Sequence, residues 1–281
     1  MTPLTAILLT RNEAANIAAC LACLDWVEDV IVVDSLSTDG TPARAAAARP
    51  DARVFSHPFQ DFGEQRNWAL DETAPRHEWV LFVDADERIT PACAAAIRRA
   101  VSAPSANVGY FLCGRNFFLG RWVKHAGLFP SWQLRLLKRG HVRYVKEGHG
   151  QREVAQGPLA YIPEPYDHFG FSKGLDEWIE RQNSYSSTEK DLLLRLAREP
   201  VGWGGLFGRD PVARRRALKR LAARAPGLRP WARLFYMYIC RGGFLDGRPG
   251  LLFCLLCLAN ALHVVAKMEE ARAGGGGANG Q

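Results

Sequence analysis

The feature that most limits how this chain can fold is a recurrence in its first hundred residues. Short apolar, β-branched runs are each followed by a polar or acidic cluster and then by a helical pattern. Residues 5–10 read TAILLT, residues 29–35 read DVIVVDS, residues 53–56 form a third short run, and residues 79–83 read WVLFV. Runs of this length without polar alternation fit strands buried on both faces. Between them, Ile17, Cys20, Leu21 and Leu24 fall at helical spacing, an Ala-rich helix starts at Pro42, and residues 62–70 continue the helical pattern. Strands separated by helices are joined by right-handed crossovers into a parallel sheet. The expectation is an α/β fold, Rossmann-like, with a mostly parallel sheet and helices on both faces.

In such sheets a ligand binds beyond the carboxyl ends of the strands. The polar residues found there are Thr10, Arg11, Asn12 and Glu13 after the first run, Asp34 and Ser35 after the second, and Asp84-Ala85-Asp86-Glu87 after the fourth. Alternate side chains leaving a strand share one side, so Asp84 and Asp86 can approach a single hard cation. Mg²⁺ or Mn²⁺ prefers oxygen ligands and completes its shell with substrate phosphates and water. The chemistry implied is a metal–diphosphate clamp.

From Gly109 the pattern shifts to shorter strands, GYFLCGRNFF and then WQLRLLKRGHVRYV, with Arg139-Gly140 read as a hairpin turn. This is expected to be the second, mixed half of the same domain. Residues 176–198 carry a long helical pattern. The catalytic domain is therefore placed at 1–190, in halves of about 1–105 and 106–190. A basic, apolar helical extension follows at 191–273, and a flexible glycine-rich tail at 274–281.

Charge is informative once it is located. Residues 209–248 hold eleven basic and two acidic residues, a surplus of nine, whereas the whole chain carries +7. The basicity thus belongs to the C-terminal extension. After it comes LLFCLLCLANALHVVA, residues 251–266, a run shorter than the ~20 apolar residues a bilayer span needs. With Trp203, Trp231 and Phe235 nearby, the reading is peripheral attachment to an anionic membrane surface at its cytoplasmic face. Seven cysteines and no secretory pattern at the N-terminus point to free thiols in a reducing cytosol. The pairs Cys20/Cys23 and Cys254/Cys257 lie in apolar helical patterns with no neighbouring ligand to complete a zinc site, so they read as packed core cysteines.

The segments TAILLTRNEAANI, VIVVDSLSTDGT, FGEQRNWAL and WVLFVDADERIT, in that order and spacing, resemble the nucleotide-sugar-binding half of glycosyltransferase family 2, whose fold is GT-A. More narrowly they resemble the bacterial branch that includes lipooligosaccharide β-1,4-glucosyltransferases. The resemblance continues more loosely through WQLRLLKRG and FSKGLDEW. It implies that Thr10, Arg11, Asn12 and Glu13 lie beside the nucleotide, with Asp34 at the uracil and Ser35 and Asp39 near it. It implies Arg66 near the diphosphate, Asp84 and Ala85 toward the ribose or sugar, and Asp86 on Mn²⁺ or Mg²⁺, where Asp84 is the second candidate ligand. The activity implied is inverting transfer from a UDP-sugar, UDP-glucose-like, to a bacterial envelope glycan: lipopolysaccharide core, exopolysaccharide or a lipid-linked sugar.

Direct displacement needs a carboxylate to take the acceptor proton. Candidates in YVKEGHGQREV are Glu147, then Glu153, with His149 beside them. Related sequences often carry a His-Glu pair here, whereas His149 is followed by Gly150. His168 and Trp122, Trp132 and Trp178 are read either as acceptor-side residues or as packed ones. Two other classes fare worse. A sugar nucleotidyltransferase needs a glycine-rich loop after the first strand, which LLTRNE lacks. A nucleic-acid-binding module using the arginines would leave Asp34, Asp84 and Asp86 repelling phosphate, so no nucleic-acid partner is expected.

Overall fold

A computed structural model describes residues 1–147, 150–204 and 211–276. The apolar runs form β1 (Thr2–Thr10), β2 (Val27–Asp34), β3 (Arg53–Ser56) and β4 (Trp79–Asp84). Their side chains alternate between two cores. Leu4, Ala6 and Leu8 of β1, Val30 and Val32 of β2, and Leu81 and Val83 of β4 share one core; Ile7, Ile31, Val33, Val80 and Phe82 share the other.

Both faces therefore need cover, and the helices supply it. Helices α1 (Ile17–Ala22), α2 (Thr41–Ala48) and α4 (Pro91–Ser102) pack residues into the first core, while α3 (Phe62–Glu72) sends Ala69 and Leu70 into the second. Each fully buried aliphatic contributes roughly 1.5–3 kcal/mol. The helix starts are fixed locally. Asp61 caps α3 by accepting from the Gly63 and Glu64 amides, and Thr90 caps α4 by accepting from the Cys93 amide ahead of Pro91.

The strand order begins β3-β2-β1-β4, with all neighbours parallel. The chain first moves outward from β1 and then returns to its other side, so a crevice opens at the carboxyl ends of β1 and β4. Beyond β4 the sheet becomes mixed. It continues through β8 (Trp132–Lys138), β6 (Gly109–Phe118), β12 (Tyr166–His168) and β5 (Glu87–Arg88). Strand β5 begins only three residues after β4 ends, yet three strands lie between them in the order. The second half of the sheet must curl to bring its last edge back to the end of β4.

Strands β7 (Arg121–Trp122) and β11 (Leu159–Tyr161) pair with β6, and β9 (Val142–Glu147) pairs with β10 (Gly150–Ala155). The turn at Arg139-Gly140 is consequently not a hairpin. It joins β8, which is paired on both sides by β4 and β6, to β9, which leaves to pair with β10. Tyr144 and Val142 of β9 enter the second core beside α3.

The chain divides into two compact units, one comprising 1–122 and 129–173, the other 123–128 and 174–281. The sequence pattern put the boundary at 190. It falls earlier because α5 (Leu175–Arg198) is one continuous helix belonging wholly to the second unit. That unit also holds α6 (Pro211–Arg224), α7 (Arg229–Phe235), a π-helical turn at Tyr236–Cys240, a 3-10 turn at Gly243–Asp246 and α8 (Gly247–Gly276). Among the described residues, Leu193, Ala223, Val264 and Met268 form one buried cluster of this unit. The turn before α8 packs backbone on backbone, since a Cβ on Gly250 would stand 2.4 Å from the Gly243 carbonyl oxygen.

The apolar run at 251–266 is thus part of a longer helix, and Gly243–Ala273 is long and apolar enough by length and composition to cross a membrane. The expectation that the run is too short does not hold, because Pro249 sits in the first helical turn, where proline is tolerated, and the helix continues past Lys267. Residues 277–281 of the expected tail lie outside the described residues.

One buried carboxylate ties the parallel strands together. Asp29 accepts from Thr5 Oγ1 at 2.8 Å, Arg53 Nη2 at 2.8 Å and the Arg76 amide at 3.0 Å. Burial opposes its ionisation, but the Arg76 amide and the Arg53 guanidinium outweigh it and hold the carboxyl below its ordinary range. Asp29→Asn should cost about 2–3 kcal/mol in urea unfolding at neutral pH. A depressed native pKa stabilises above the unfolded value of about 4, and that stabilisation is lost as pH falls through the native one. The gap between wild type and variant should therefore close in acid; an equal gap at pH 7 and in strong acid would contradict the assignment.

Candidate active site

The register of the parallel strands sets three polar strand ends at one level. Thr10 lies opposite Asp34, Leu9 opposite Asp84, and Asp34 opposite Ser56. Asp34 is buried. It accepts from Thr10 Oγ1 at 2.9 Å, from the Ser37 hydroxyl at 2.6 Å and from the Ser37 amide at 2.8 Å. Its neighbour Ser35 accepts at Oγ from Gln65 Nε2 at 3.1 Å, linking the end of β2 to α3.

The two rim loops are stapled to each other. Asn12 has φ 54° and Leu36 has φ 57°, left-handed conformations that non-glycine residues seldom adopt. The Asn12 amide donates to Ser37 Oγ at 2.7 Å, and Asn12 Oδ1 accepts from the Thr38 amide at 2.9 Å. Asp39 accepts from the Ala14 amide at 2.9 Å and from the amide and hydroxyl of Thr41. Glu13 accepts from Lys173 Nζ and from Asn16 Nδ2, both at 2.7 Å. Asn12, Glu13 and Asp39 thus shape the rim, whereas Arg11 is exposed at its edge.

At the end of β4 the acidic cluster is divided between cations. Asp84 Oδ2 meets Arg135 Nη2 at 2.6 Å, and its Oδ1 meets Arg66 Nη2 at 3.5 Å. The same Arg135 nitrogen also binds Glu87, whose other oxygen accepts the Asp84 amide at 2.9 Å. The side chains of Arg135 and Glu87 are 5% and 2% exposed against 40% for Asp84, so this pair forms the floor and Asp84 opens onto the crevice. Arg66 is braced by Gln151 Oε1 at 2.9 Å and lies over the rings of Phe82 and Tyr144. Burial disfavours ionised Asp84, but Arg135 and Arg66 overcome it and hold the carboxyl far below its ordinary value. Burial pushes Glu87 up to about 7, opposed by Arg135 and reinforced by the Asp84 charge. One guanidinium cannot compensate two buried carboxylates equally.

Asp86 points elsewhere. Its Oδ2 lies 3.3 Å from His168 Nε2, and His168 Nδ1 is 2.7 Å from Asn116 Oδ1. An amide oxygen at Nδ1 assigns the proton there and turns Nε2 toward Asp86. Two lone pairs would then face each other unless a proton or a metal cation stood between them. Burial lowers the His168 pKa, but the Asp86 contact outweighs it and the net direction is upward. Backbone pairing fixes the juxtaposition. His168 lies opposite Glu87 across β12 and β5, and the Phe169 amide donates to the Asp86 carbonyl at 2.8 Å. Helix α1 supports the same turn: Cys20 Sγ donates to the Asp84 carbonyl and Cys23 Sγ accepts from the Ile89 amide.

Of the other residues singled out by sequence, Ala85 is buried in the first core. Glu153 is half-buried on β10 opposite Tyr144. Glu147 ends β9, but its side chain and the whole of His149 lie outside the described residues. Trp122 and Trp132 belong to the first unit, against Phe129 and Tyr161 respectively, and Trp178 belongs to α5 of the second. Sequence reading missed Arg135, Tyr144 and Asn116, and read His168 as an acceptor-side or packed residue, not as the partner of Asp86. For Arg135 a signal exists, since it interrupts the buried run LRLL of β8.

Among the described residues, Gln65 Oε1, Tyr144 Oη and Arg135 Nε are buried without a hydrogen-bond partner. All three belong to residues that flank the crevice, and a dry, unpaired polar atom costs about 1–3 kcal/mol. Such atoms fit a site that takes up polar ligand or water. Among the described residues no group of three His, Cys, Asp or Glu side chains could hold a metal. Asp86 and His168 offer two donors, an oxygen and a nitrogen, a mixed set that Mn²⁺ takes more readily than Mg²⁺, with substrate and water supplying the rest.

A parallel nucleotide-binding half, an acidic strand end and a curled mixed second half define the GT-A class. The solved structure of a mannosyltransferase from Pyrobaculum calidifontis, described in complex with GDP-mannose and Mn²⁺, has the same fold: TM-score 0.53, 18% identity, covering 95% of this chain and 86% of that one. The family model for glycosyl transferase family 2 matches residues 5–155, and the chain belongs to that family. A lipopolysaccharide core biosynthesis glycosyltransferase, LpsC of Rhizobium meliloti, is 26% identical over 211 residues, 70% of this chain and 74% of that protein. An uncharacterised glycosyltransferase of Rickettsia felis is 37% identical over 91 residues, but the matched part is only 31% of its length and 32% of this chain.

Removing the floor cation tests this architecture. Arg135→Met should cost about 3–5 kcal/mol, since it leaves Glu87 buried without its counter-ion and Asp84 with Arg66 alone. Arg135→Lys should recover only part of that, because an ammonium lacks the planar fork. Guanidinium unfolding curves give both numbers; a methionine variant as stable as wild type would show that the pair is not the floor of the site.

Proposed function

We propose that this glycosyltransferase takes a sugar from a UDP-sugar, UDP-glucose-like, and passes it with inversion to a bacterial envelope glycan. The observation that carries the reading is the row of strand-end groups along one crevice: Asp34, then Arg66 with Asp84, then Asp86 with His168. Asp34 accepts three hydrogen bonds within the chain, and a carboxylate has about four acceptor positions. The fourth suits the imide N–H of uracil, for which adenine has no equivalent donor. Arg66 offers charge to the diphosphate. Asp84, already bound by two guanidiniums, is better suited to accept from ribose or sugar hydroxyls than to hold a cation.

Asp86 and His168 would hold Mn²⁺ or Mg²⁺, which when bound neutralises charge growing on the departing diphosphate. With two protein donors only, the metal's affinity depends on nucleotide being present. The acceptor oxygen attacks the anomeric carbon as its bond to the diphosphate breaks, and the acceptor proton passes to a carboxylate. Glu147 is the favoured base and Glu153 the runner-up, because they belong to β9 and β10, the strands that pack against α3, the helix that carries Arg66. Similarity to the lipopolysaccharide core glycosyltransferase supports an envelope acceptor.

Calorimetry with UDP, GDP, CDP and ADP, each with and without Mn²⁺, tests the donor reading. UDP should bind most tightly and gain at least tenfold from Mn²⁺; a preference for GDP would remove uracil from Asp34. Asp86→Ala should abolish that gain and UDP-sugar turnover without shifting the unfolding midpoint downward, and unchanged turnover would sink the metal assignment. Glu147→Gln should lower kcat by ~10²-fold or more at unchanged UDP affinity. If Glu153→Gln does so instead, the base is Glu153.

A further inference from the structure

We propose that the second unit docks flat on an anionic lipid bilayer through one outward-facing apolar stripe. Leu228, Trp231, Phe235 and Ile239 are 71%, 56%, 60% and 50% exposed. Their spacing of three, four and four residues keeps them on one side of α7 and the π-helical turn that extends it. The opposite side is buried at Pro230 and Met237. Phe244 and Leu245, on the 3-10 turn that follows, prolong the stripe and are as exposed. This amphipathic segment is inside-out for a protein surrounded by water.

Charge decides what covers it. From 211 to 248 the chain has ten basic residues and one acidic residue, Asp246. Asp246 is turned inward, accepting from the His125 and Ala126 amides at 2.8 Å. Arg248 is exposed just beyond Phe244 and Leu245, whereas Arg233 lies on the side of α7 toward Cys254 and Cys257 of α8 and Arg229 is engaged by Glu189. Trp231 and Tyr236 have the apolar body and polar tip that suit the headgroup level of a membrane. A second copy of the chain is a poorer occupant, because a two-fold contact would bring arginines together with no acidic partner.

The unit lies in the plane of the bilayer and α8 does not span it. Lys267 of α8 donates to Asn183, Ser186 and Ser187 of α5, and Val264 and Met268 of α8 pack on Leu193 of α5. Helix α7 also packs along α8, with Arg233 near Cys254 and Cys257 in the middle of the apolar run, so a spanning α8 would either drag this charge into hydrocarbon or lose its partner. This inference is independent of which nucleotide the first unit binds.

The test is flotation of the full chain on phosphatidylcholine vesicles with and without phosphatidylglycerol. Wild type should bind the anionic vesicles, be released by alkaline carbonate, and bind phosphatidylcholine alone at least tenfold more weakly. Trp231→Ser with Phe235→Ser should lower anionic binding about tenfold or more, and Arg248→Glu should weaken binding to anionic vesicles only. Brominated-lipid quenching of wild-type tryptophan fluorescence, reduced in Trp231→Phe, tests the same contact without a disruptive variant. Flotation indifferent to lipid charge or to these substitutions would overturn the proposal. So would carbonate-resistant insertion, or a wild-type dimer that Trp231→Ser with Phe235→Ser converts to monomer.

Discussion

Arg135 is the charge on which the active-site architecture rests. The end of β4 concentrates three carboxylates within four residues, Asp84, Asp86 and Glu87. Placed together in a partly dehydrated crevice, they would raise one another's pKa values until at least one took up a proton. Arg135, reaching across from β8, forms a buried floor with Glu87 and holds Asp84 at the crevice above it, and His168 draws Asp86 aside. A buried ion pair gives little net stability against a well-packed apolar alternative. Its value here is positional, since it keeps Asp84 ionised and aimed while leaving Asp86 next to a ring nitrogen.

The topology makes this possible. A strictly parallel sheet would end at β4 with its acidic turn facing solvent. The antiparallel strands β8 and β6 instead roll the sheet over, so that β12 and β5 pair above that turn and carry His168 and Phe169 to it. The β9–β10 pair is diverted to α3, where Asn67 binds both the amide and the carbonyl of Tyr144. Rigidity on one side of the crevice thus comes from sheet pairing, and on the other from side chains locking the loops after β1 and β2.

The second unit follows a different logic. Its arginines are concentrated, and several of its largest apolar side chains face outward. Those properties are at odds with an isolated water-soluble bundle and agree with a surface completed by lipid. A glycosyltransferase attached in this way would meet membrane-bound acceptors by lateral diffusion, while its donor arrives from solution.

Much of the first unit was legible in the sequence because consecutive apolar residues have one economical solution, a strand covered on both faces. TAILLT, VIVVD and WVLFVD therefore gave β1, β2 and β4, and the polar residues after them marked the rim. What local pattern could not contain was strand order. It could not place Arg135 under Asp84 or His168 against Asp86, nor show that Arg139-Gly140 leads out of the sheet, because each depends on which distant strand lies alongside. Helix length escaped for a related reason: packing of Val264, Lys267 and Met268 on α5 carries α8 beyond the apolar run that marked it. Sequence by itself determined the strands, the rim and the location of the basic charge. Tertiary structure decided which charge neutralises which, since Coulomb energy depends on distances that only the folded sheet sets.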